Sequence, residues 1–181
     1  QVTGLENLPE GPFILASKHQ SFFDTVVWSQ LIPNAAYVMK EELLSQPIFG
    51  WFIRHIDVVA LDRKAGLSSL KKLLVDSQAK ADQGLPVVIF PEGTRTRPGE
   101  RGRYHPGVAA MYEKLNLPVV PVGTDSGVFW DQGLKGLKQG VITVAIQPAI
   151  QPGLDKRAFL TEVSECIETS SLSLFEQAQI A

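Results

Sequence analysis

Short, continuous apolar runs that alternate with helical segments are the feature of this sequence that most constrains its fold. Strands are predicted for residues 13–17, 35–39, 56–61, 87–90, 119–122 and 141–146. Helices are predicted for residues 25–32, 66–83, 108–115 and the tail from residue 155. Strands that are apolar on both faces and alternate with helices are typical of a largely parallel sheet. We therefore predict an α/β fold for residues 1–181, a single domain with a largely parallel mixed sheet flanked by helices.

Polar residues that suit chemistry follow four of these strands directly. They are His19, Lys40, Arg63 and the run from Glu92 to Arg95. Because the carboxyl ends of parallel strands meet at one edge of a sheet, where ligands bind, we expect these side chains to converge.

The first of these segments pairs an imidazole with a carboxylate. His19 and Asp24 are five residues apart, which is too far for neighbours on one helix face. The spacing fits a loop that leads into a helix and turns back, so that Asp24 holds one ring nitrogen of His19. The other nitrogen would then be free as a general base. A histidine in a loop is also commonly an ordinary polar residue, so this pair alone does not establish a site.

The second segment, Phe90-Pro91-Glu92-Gly93-Thr94-Arg95, follows a strand with a glycine-containing loop. Such a loop exposes amide donors, and an arginine offers a planar fork that matches phosphate. A plain surface turn is the alternative interpretation. Together the two segments indicate proton abstraction from a substrate that carries a phosphate.

Four blocks of the chain resemble the conserved motifs of the glycerolipid acyltransferases. His19-Gln20-Ser21-Phe22-Phe23-Asp24 resembles their His-x-x-x-x-Asp motif, and the run from Phe90 to Arg95 resembles their Phe-Pro-Glu-Gly-Thr-Arg motif. Residues 58–63 and 119–122 resemble the arginine-ending and proline-containing blocks. Order and spacing agree over nearly the whole chain. Residues 40–43, 49–51 and 126–130 are most similar to bacterial 1-acyl-sn-glycerol-3-phosphate acyltransferases.

The resemblance implies a glycerol-3-phosphate acyltransferase-like fold and an O-acyltransferase of phospholipid biosynthesis. The acyl group would pass from acyl-CoA or acyl carrier protein to 1-acyl-sn-glycerol 3-phosphate, which gives phosphatidic acid. His19 would be the general base and Asp24 would orient it, with no covalent intermediate, cofactor or metal. The acceptor phosphate would be bound by Arg95 with Lys40 and Arg63, in a pocket completed by Glu92, Gly93 and Thr94.

An aromatic, almost uniformly apolar segment spans residues 47–54. It predicts a buried helix, or else a wall for a lipid chain or a membrane-interface patch. Candidates for acyl-chain or membrane contact are Phe22, Phe23, Phe49, Trp51 and Phe52. No run of about 18 apolar residues occurs. Since the chain starts at Gln1, we expect a missing N-terminal anchor and a place on the cytoplasmic face of the inner membrane.

Composition argues against several other classes of protein. The net charge of -2 leaves no basic excess for nucleic-acid binding. The single cysteine, Cys166, cannot form an internal disulfide and is expected in the core. His19, His55 and His105 are not at metal-ligand spacing, and Ser21 is not in a Gly-x-Ser-x-Gly elbow.

Three alternatives to the leading hypothesis stay open. The acceptor could be glycerol 3-phosphate or another lyso-lipid, because the proton chemistry would be the same. A thioesterase would use water, which has no need of a phosphate clamp. A non-catalytic lipid-binding module would have no use for a carboxylate held against an imidazole.

Overall fold

A seven-stranded sheet forms the centre of the computed structural model, which describes residues 1–46, 50, 53, 55–62, 65–130 and 136–180. The strands are β1 (Val2–Thr3), β2 (Ile14–Ser17), β3 (Ala36–Lys40), β4 (Val58–Leu61), β5 (Val87–Ile89), β6 (Val119–Thr124) and β7 (Val144–Ile146). Their order in the sheet is β1-β7-β6-β2-β5-β3-β4. The run from β6 to β4 is parallel, and the β6–β7 pairing is antiparallel. The predicted α/β fold with a largely parallel mixed sheet is confirmed.

Helices cover both faces of this sheet. They are α1 (Phe23–Leu31), α2 (Leu67–Asp82), α3 (Gly107–Leu115), α4 (Ser126–Phe129) and α5 (Lys156–Ile180), with 3₁₀ turns at Leu5–Asn7 and Glu41–Ser45. Successive side chains of a strand point to opposite faces, and β2 is buried on both. Ile14 and Ala16 share one apolar cluster with α2, α3 and α5, whereas Leu15 shares the other with Trp28 of α1.

The departures from prediction lie at element ends and in short elements. Helix α1 begins at Phe23, two residues earlier than predicted, because Asp24 accepts hydrogen bonds from the loop before it. Strand β1 has two residues, too few to show a periodicity. The expectation that Cys166 lies in the core is wrong. The fully buried stripe of α5 consists of Phe159, Val163 and Ile167, and Cys166 beside it is only partly buried.

The expected convergence at one sheet edge is confirmed for three of the four segments. Strands β2, β5, β3 and β4 are neighbours in that order and run the same way. Their carboxyl ends therefore carry His19, Glu92, Lys40 and Asp62 side by side. Arg63, the fourth predicted residue, lies outside the described residues.

Candidate active site

His19 and Asp24 face each other across the turn between β2 and α1. The Nδ1 atom of His19 lies 3.3 Å from Oδ2 of Asp24, and the same oxygen accepts the main-chain N–H groups of Gln20 (2.6 Å) and Ser21 (2.8 Å). Asp24 is 2% exposed and His19 is 17% exposed. When Nδ1 carries its hydrogen toward Asp24, Nε2 remains an acceptor. The turn thus holds the imidazole beside the carboxylate, and the role of His19 as a general base stays a prediction.

The main chain of His19 is held by the loop that follows β5. Its N–H donates to Oε2 of Glu92 (3.0 Å), and its carbonyl accepts the N–H of Thr96 (2.8 Å). The imidazole stacks on Phe90, with ring centroids 4.2 Å apart. The two motifs, about seventy residues apart in the chain, therefore form one unit.

Glu92 belongs to a buried charged cluster rather than to the solvent side of this loop. Its Oε1 atom lies 2.7 Å from Nζ of Lys18, and Lys18 also pairs with Glu168 of α5 at 2.9 Å. Burial raises the pKa of Glu92 above its usual value, against the lowering effect of Lys18. The two oxygens of the Glu92 carboxylate therefore contact Lys18 and the main chain of His19, and its part in a phosphate pocket stays a prediction.

Tyr104 donates its hydroxyl hydrogen to Oε1 of Glu168 at 3.1 Å. Burial raises the pKa of Tyr104 above its usual range, and the negative charge of Glu168 is the second cause of this rise. The hydroxyl therefore stays protonated and continues to donate to Glu168.

Gly93, Thr94 and Arg95 form the turn on the open side of the loop. Gly93 has φ 66°, a left-handed conformation that glycine adopts without strain. Thr94 and Arg95 are exposed. Lys40 is also exposed, at the end of β3, the strand beside β5. Three of the predicted phosphate-binding side chains are thus at the same edge as His19, and their contact with phosphate stays a prediction.

The aromatic residues of the first motif have different surroundings. Phe23 packs on the apolar cluster around Trp28, whereas Phe22 tilts against Trp130, with ring centroids 6.0 Å apart. The other candidates for acyl-chain contact, Phe49, Trp51 and Phe52, lie outside the described residues.

Two searches of the described chain bear on membrane and metal chemistry. No helix within it is long and apolar enough to cross a bilayer. Its His, Cys, Asp and Glu side chains form no group of three that could hold a metal ion.

Comparison with known proteins identifies the family. The acyltransferase family profile matches residues 1–125. This chain belongs to the acyltransferase family. It is 37% identical over 150 residues to a 1-acyl-sn-glycerol-3-phosphate acyltransferase of Pseudomonas aeruginosa, covering 83% of this chain and 58% of that one. A chloroplastic relative from Brassica napus is 31% identical over 156 residues, covering 82% of this chain and 44% of that one.

A solved structure has a similar fold. It is the crystal structure of the 1-acyl-sn-glycerophosphate (LPA) acyltransferase PlsC from Thermotoga maritima, which matches this chain with a TM-score of 0.79 and 24% identity, over 99% of this chain and 72% of that chain. The chain spans about half the length of the curated relatives it matches.

Sequence reasoning missed Lys18, Thr96 and Glu168. Lys18 had a signal, because it continues the inward alternation of Ile14 and Ala16 and should therefore be buried. Glu168 had a weaker one, an acid directly after the apolar stripe of α5 that ends at Ile167. Thr96 had none.

Proposed function

We propose that this protein transfers a fatty acyl group from a thioester to the free hydroxyl of 1-acyl-sn-glycerol 3-phosphate, which gives phosphatidic acid. The observation that carries the proposal is the contact between His19 and Asp24 in a unit that also contains the phosphate-type loop. A general base and an anion site are what a hydroxyl acceptor with a phosphate requires. Relatives named for this reaction support the choice of acceptor.

In the proposed reaction His19 moves one proton out and back. Nε2 accepts the hydrogen of the acceptor hydroxyl as its oxygen bonds to the thioester carbonyl carbon. Asp24, next to Nδ1, stabilises the imidazolium that forms. The carbon–sulfur bond then breaks, and the thiolate takes the proton from the imidazolium. The products are an ester and a free thiol, and His19 is again neutral.

The proposed phosphate site is the open side of the loop after β5. Arg95 supplies the guanidinium fork, and Lys40 adds charge from the end of β3. Both side chains are exposed at the edge where His19 lies. A phosphate held there would bring a nearby hydroxyl of the same molecule toward Nε2. Arg63 completes the proposed set.

The proposed donor is acyl-CoA or acyl carrier protein, and the proposed place of work is the cytoplasmic surface of the inner membrane. The lipid substrate and product are amphipathic, so the site has to meet a membrane surface. Two apolar residues after the short helix α4 are exposed, Leu137 to 64% and Val141 to 62%. Between them and α4 lies Trp130, which contacts Phe22 of the first motif. Apolar side chains in such a position suit an interface.

The experiment is thiol release from palmitoyl-coenzyme A in mixed micelles, with and without lysophosphatidic acid. We expect release that depends on the acceptor, with phosphatidic acid as the lipid product. Glycerol 3-phosphate and a lysophospholipid that lacks a terminal phosphate serve as matched acceptors, and palmitoyl–acyl carrier protein as the second donor. Equal release without any acceptor contradicts the proposal and indicates a thioesterase. Lipid binding with no release from either donor indicates a binding module.

A further inference from the structure

Lys18 and His19 are consecutive residues that serve opposite sides of the sheet. His19 turns toward Asp24 at the start of α1, whereas Lys18 turns toward Glu168 in the middle of α5. Lys18 is 1% exposed and Glu168 is 6% exposed. Lys18 and Glu168 have no part in the proton transfer described above. Both are nevertheless charged groups that are buried directly behind the loop that carries His19.

The Lys18 ammonium contacts three groups. It forms an ion pair with Oε1 of Glu92 (2.7 Å) and donates to the Glu168 carboxylate (2.9 Å) and to the main-chain carbonyl of Glu100 (3.2 Å). An ammonium that is held by three groups in a buried position has a fixed place. Lys18 therefore connects α5 to Glu92, and the second oxygen of Glu92 accepts the N–H of His19.

Helix α5 also holds the far part of the loop that begins at Glu92. Glu168 accepts the N–H of Gly102 at 3.3 Å and the hydroxyl of Tyr104 at 3.1 Å. A Cβ atom at Gly102 would collide with the carboxylate of Glu92, so the loop passes directly over the cluster. Glu168 is thus the point at which α5 holds both the catalytic loop and the phosphate-type loop.

Stability alone is a poor explanation for this cluster. Two carboxylates and one ammonium taken out of water are costly, and apolar replacements of buried ion pairs are often neutral or stabilising. Charge-assisted hydrogen bonds instead restrict the groups that they join to a narrow range of distances and directions. The cluster applies that constraint to the main chain of His19, whose ring has to be placed to within a fraction of an ångström.

We propose that Lys18 and Glu168 are positioning residues for acyl transfer, acting through Glu92 on His19 and on the loop that binds the acceptor phosphate. The proposal rests on the proposed function. It predicts that loosening Glu168 slows turnover and weakens acceptor binding together, because both loops move. Binding of the thioester donor is unchanged.

The test compares Glu168→Gln with Glu165→Gln. The two glutamates are one turn apart on α5, and both contact the same loop, since Glu165 forms a bidentate pair with Arg101 at 2.9 and 3.0 Å. The difference is burial, because the side chains of Arg101 and Glu165 are 64% and 53% exposed. The same substitution at the same helix therefore separates the buried connection from a surface one.

We expect Glu168→Gln to lower kcat/KM for the acceptor by about 10- to 100-fold, in the range seen when a remote change misplaces reacting groups. The loss is divided between a lower kcat and a higher acceptor KM, with the donor KM unchanged. Glu165→Gln stays within about twofold of wild type. A purely structural role would lower the folded fraction and hence the apparent kcat, without a change in either KM.

Amide hydrogen exchange gives a readout that does not need activity. Glu168→Gln is expected to speed exchange in residues 13–24 and 92–104 and to leave α2 and α3 protected, while Glu165→Gln changes neither loop. If wild type shows no acceptor-dependent turnover, the proposed function fails, and exchange still decides whether Glu168 positions these loops.

Three results would overturn the proposal. They are unchanged kinetics and exchange in folded Glu168→Gln, equal effects of the two substitutions, and faster exchange across the whole chain. If Glu168→Gln does not fold, Tyr104→Phe takes its place, because it removes one hydrogen bond to Glu168 and no charge. That variant is expected to raise the acceptor KM in the same direction by a smaller factor, and an unchanged KM would overturn the proposal.

Discussion

Lys18 and His19, at the end of β2, differ in how many of their polar atoms already have a partner within the protein. On the Lys18 side the ammonium contacts two carboxylates and a main-chain carbonyl, and the residue is 1% exposed. On the His19 side one ring nitrogen faces Asp24 and the residue is partly exposed. A buried cluster whose charged groups all have partners fixes geometry. A partly exposed ring with one partner can still meet a substrate. If the proposed function holds, the adjacent residues Lys18 and His19 have separate roles, since Lys18 positions the site and His19 reacts in it.

The largest expected effect comes from removing the reactive side. We expect His19→Ala to lower acceptor-dependent thiol release by about 10²–10⁴-fold, the usual contribution of a general base. Circular dichroism and the thermal midpoint are expected to stay close to those of wild type. His105→Ala is the matched control, since this histidine is exposed on the loop after β5. A folded His19→Ala variant with a tenth or more of wild-type turnover would contradict the assignment.

Removing the Lys18 ammonium should lower the stability of the folded protein. Lys18→Met leaves Glu92 and Glu168 buried without their cation, which is expected to lower the free energy of unfolding by about 3–5 kcal/mol. Urea denaturation measures this loss. Lys72→Met is the control, because Lys72 pairs with Asp76 at the surface, where its side chain is 49% exposed. Equal losses of unfolding free energy in the two variants would contradict a stabilising role for the Lys18 ion pairs.

A smaller change should reach the acceptor site alone. Gly93→Ala forces a non-glycine residue into a left-handed conformation, at a cost of about 1–2 kcal/mol. Gly11→Ala is the control, with φ 80° and open space around it. We expect similar losses of stability in both and a raised acceptor KM only in Gly93→Ala. A raised acceptor KM in both variants would remove the link between Gly93 and the phosphate.

The smallest effect is a pH dependence of the buried cluster. Because the folded pKa of Glu92 is above its ordinary 4.5, the folded protein holds a proton that the unfolded chain has released at pH values between the two pKa values. The contribution of Glu92 to stability is therefore complete below pH 4.5 and is lost as pH rises through the raised pKa. Urea unfolding of wild type and Glu92→Gln between about pH 4.5 and 8 should show wild type losing free energy relative to the variant. A parallel pair of curves would contradict the raised pKa.

The parts of this molecule that local pattern encodes were predicted well. Apolar runs and helical spacing gave the α/β fold, and the rule for parallel strand ends brought His19, Lys40 and Glu92 to one edge. The pairing of Lys18 with Glu168 could not be predicted in that way. Its partners are 150 residues apart, and the contact depends on which helix covers which strand. The antiparallel direction of β7 likewise depends on the path of a connection, not on the composition of three residues.

The position of Glu168 also determines when the site can be completed during synthesis. A ribosome makes both motifs long before it reaches α5, so the nascent chain carries His19 and the loop after β5 without the acid that holds them. Residue 168 must leave the exit tunnel before Lys18 has both of its carboxylate partners. Translation to nearly the end of the described chain is therefore the step that makes the catalytic loop rigid, and a polypeptide released earlier would be left with a lysine that has lost half of its counter-charge.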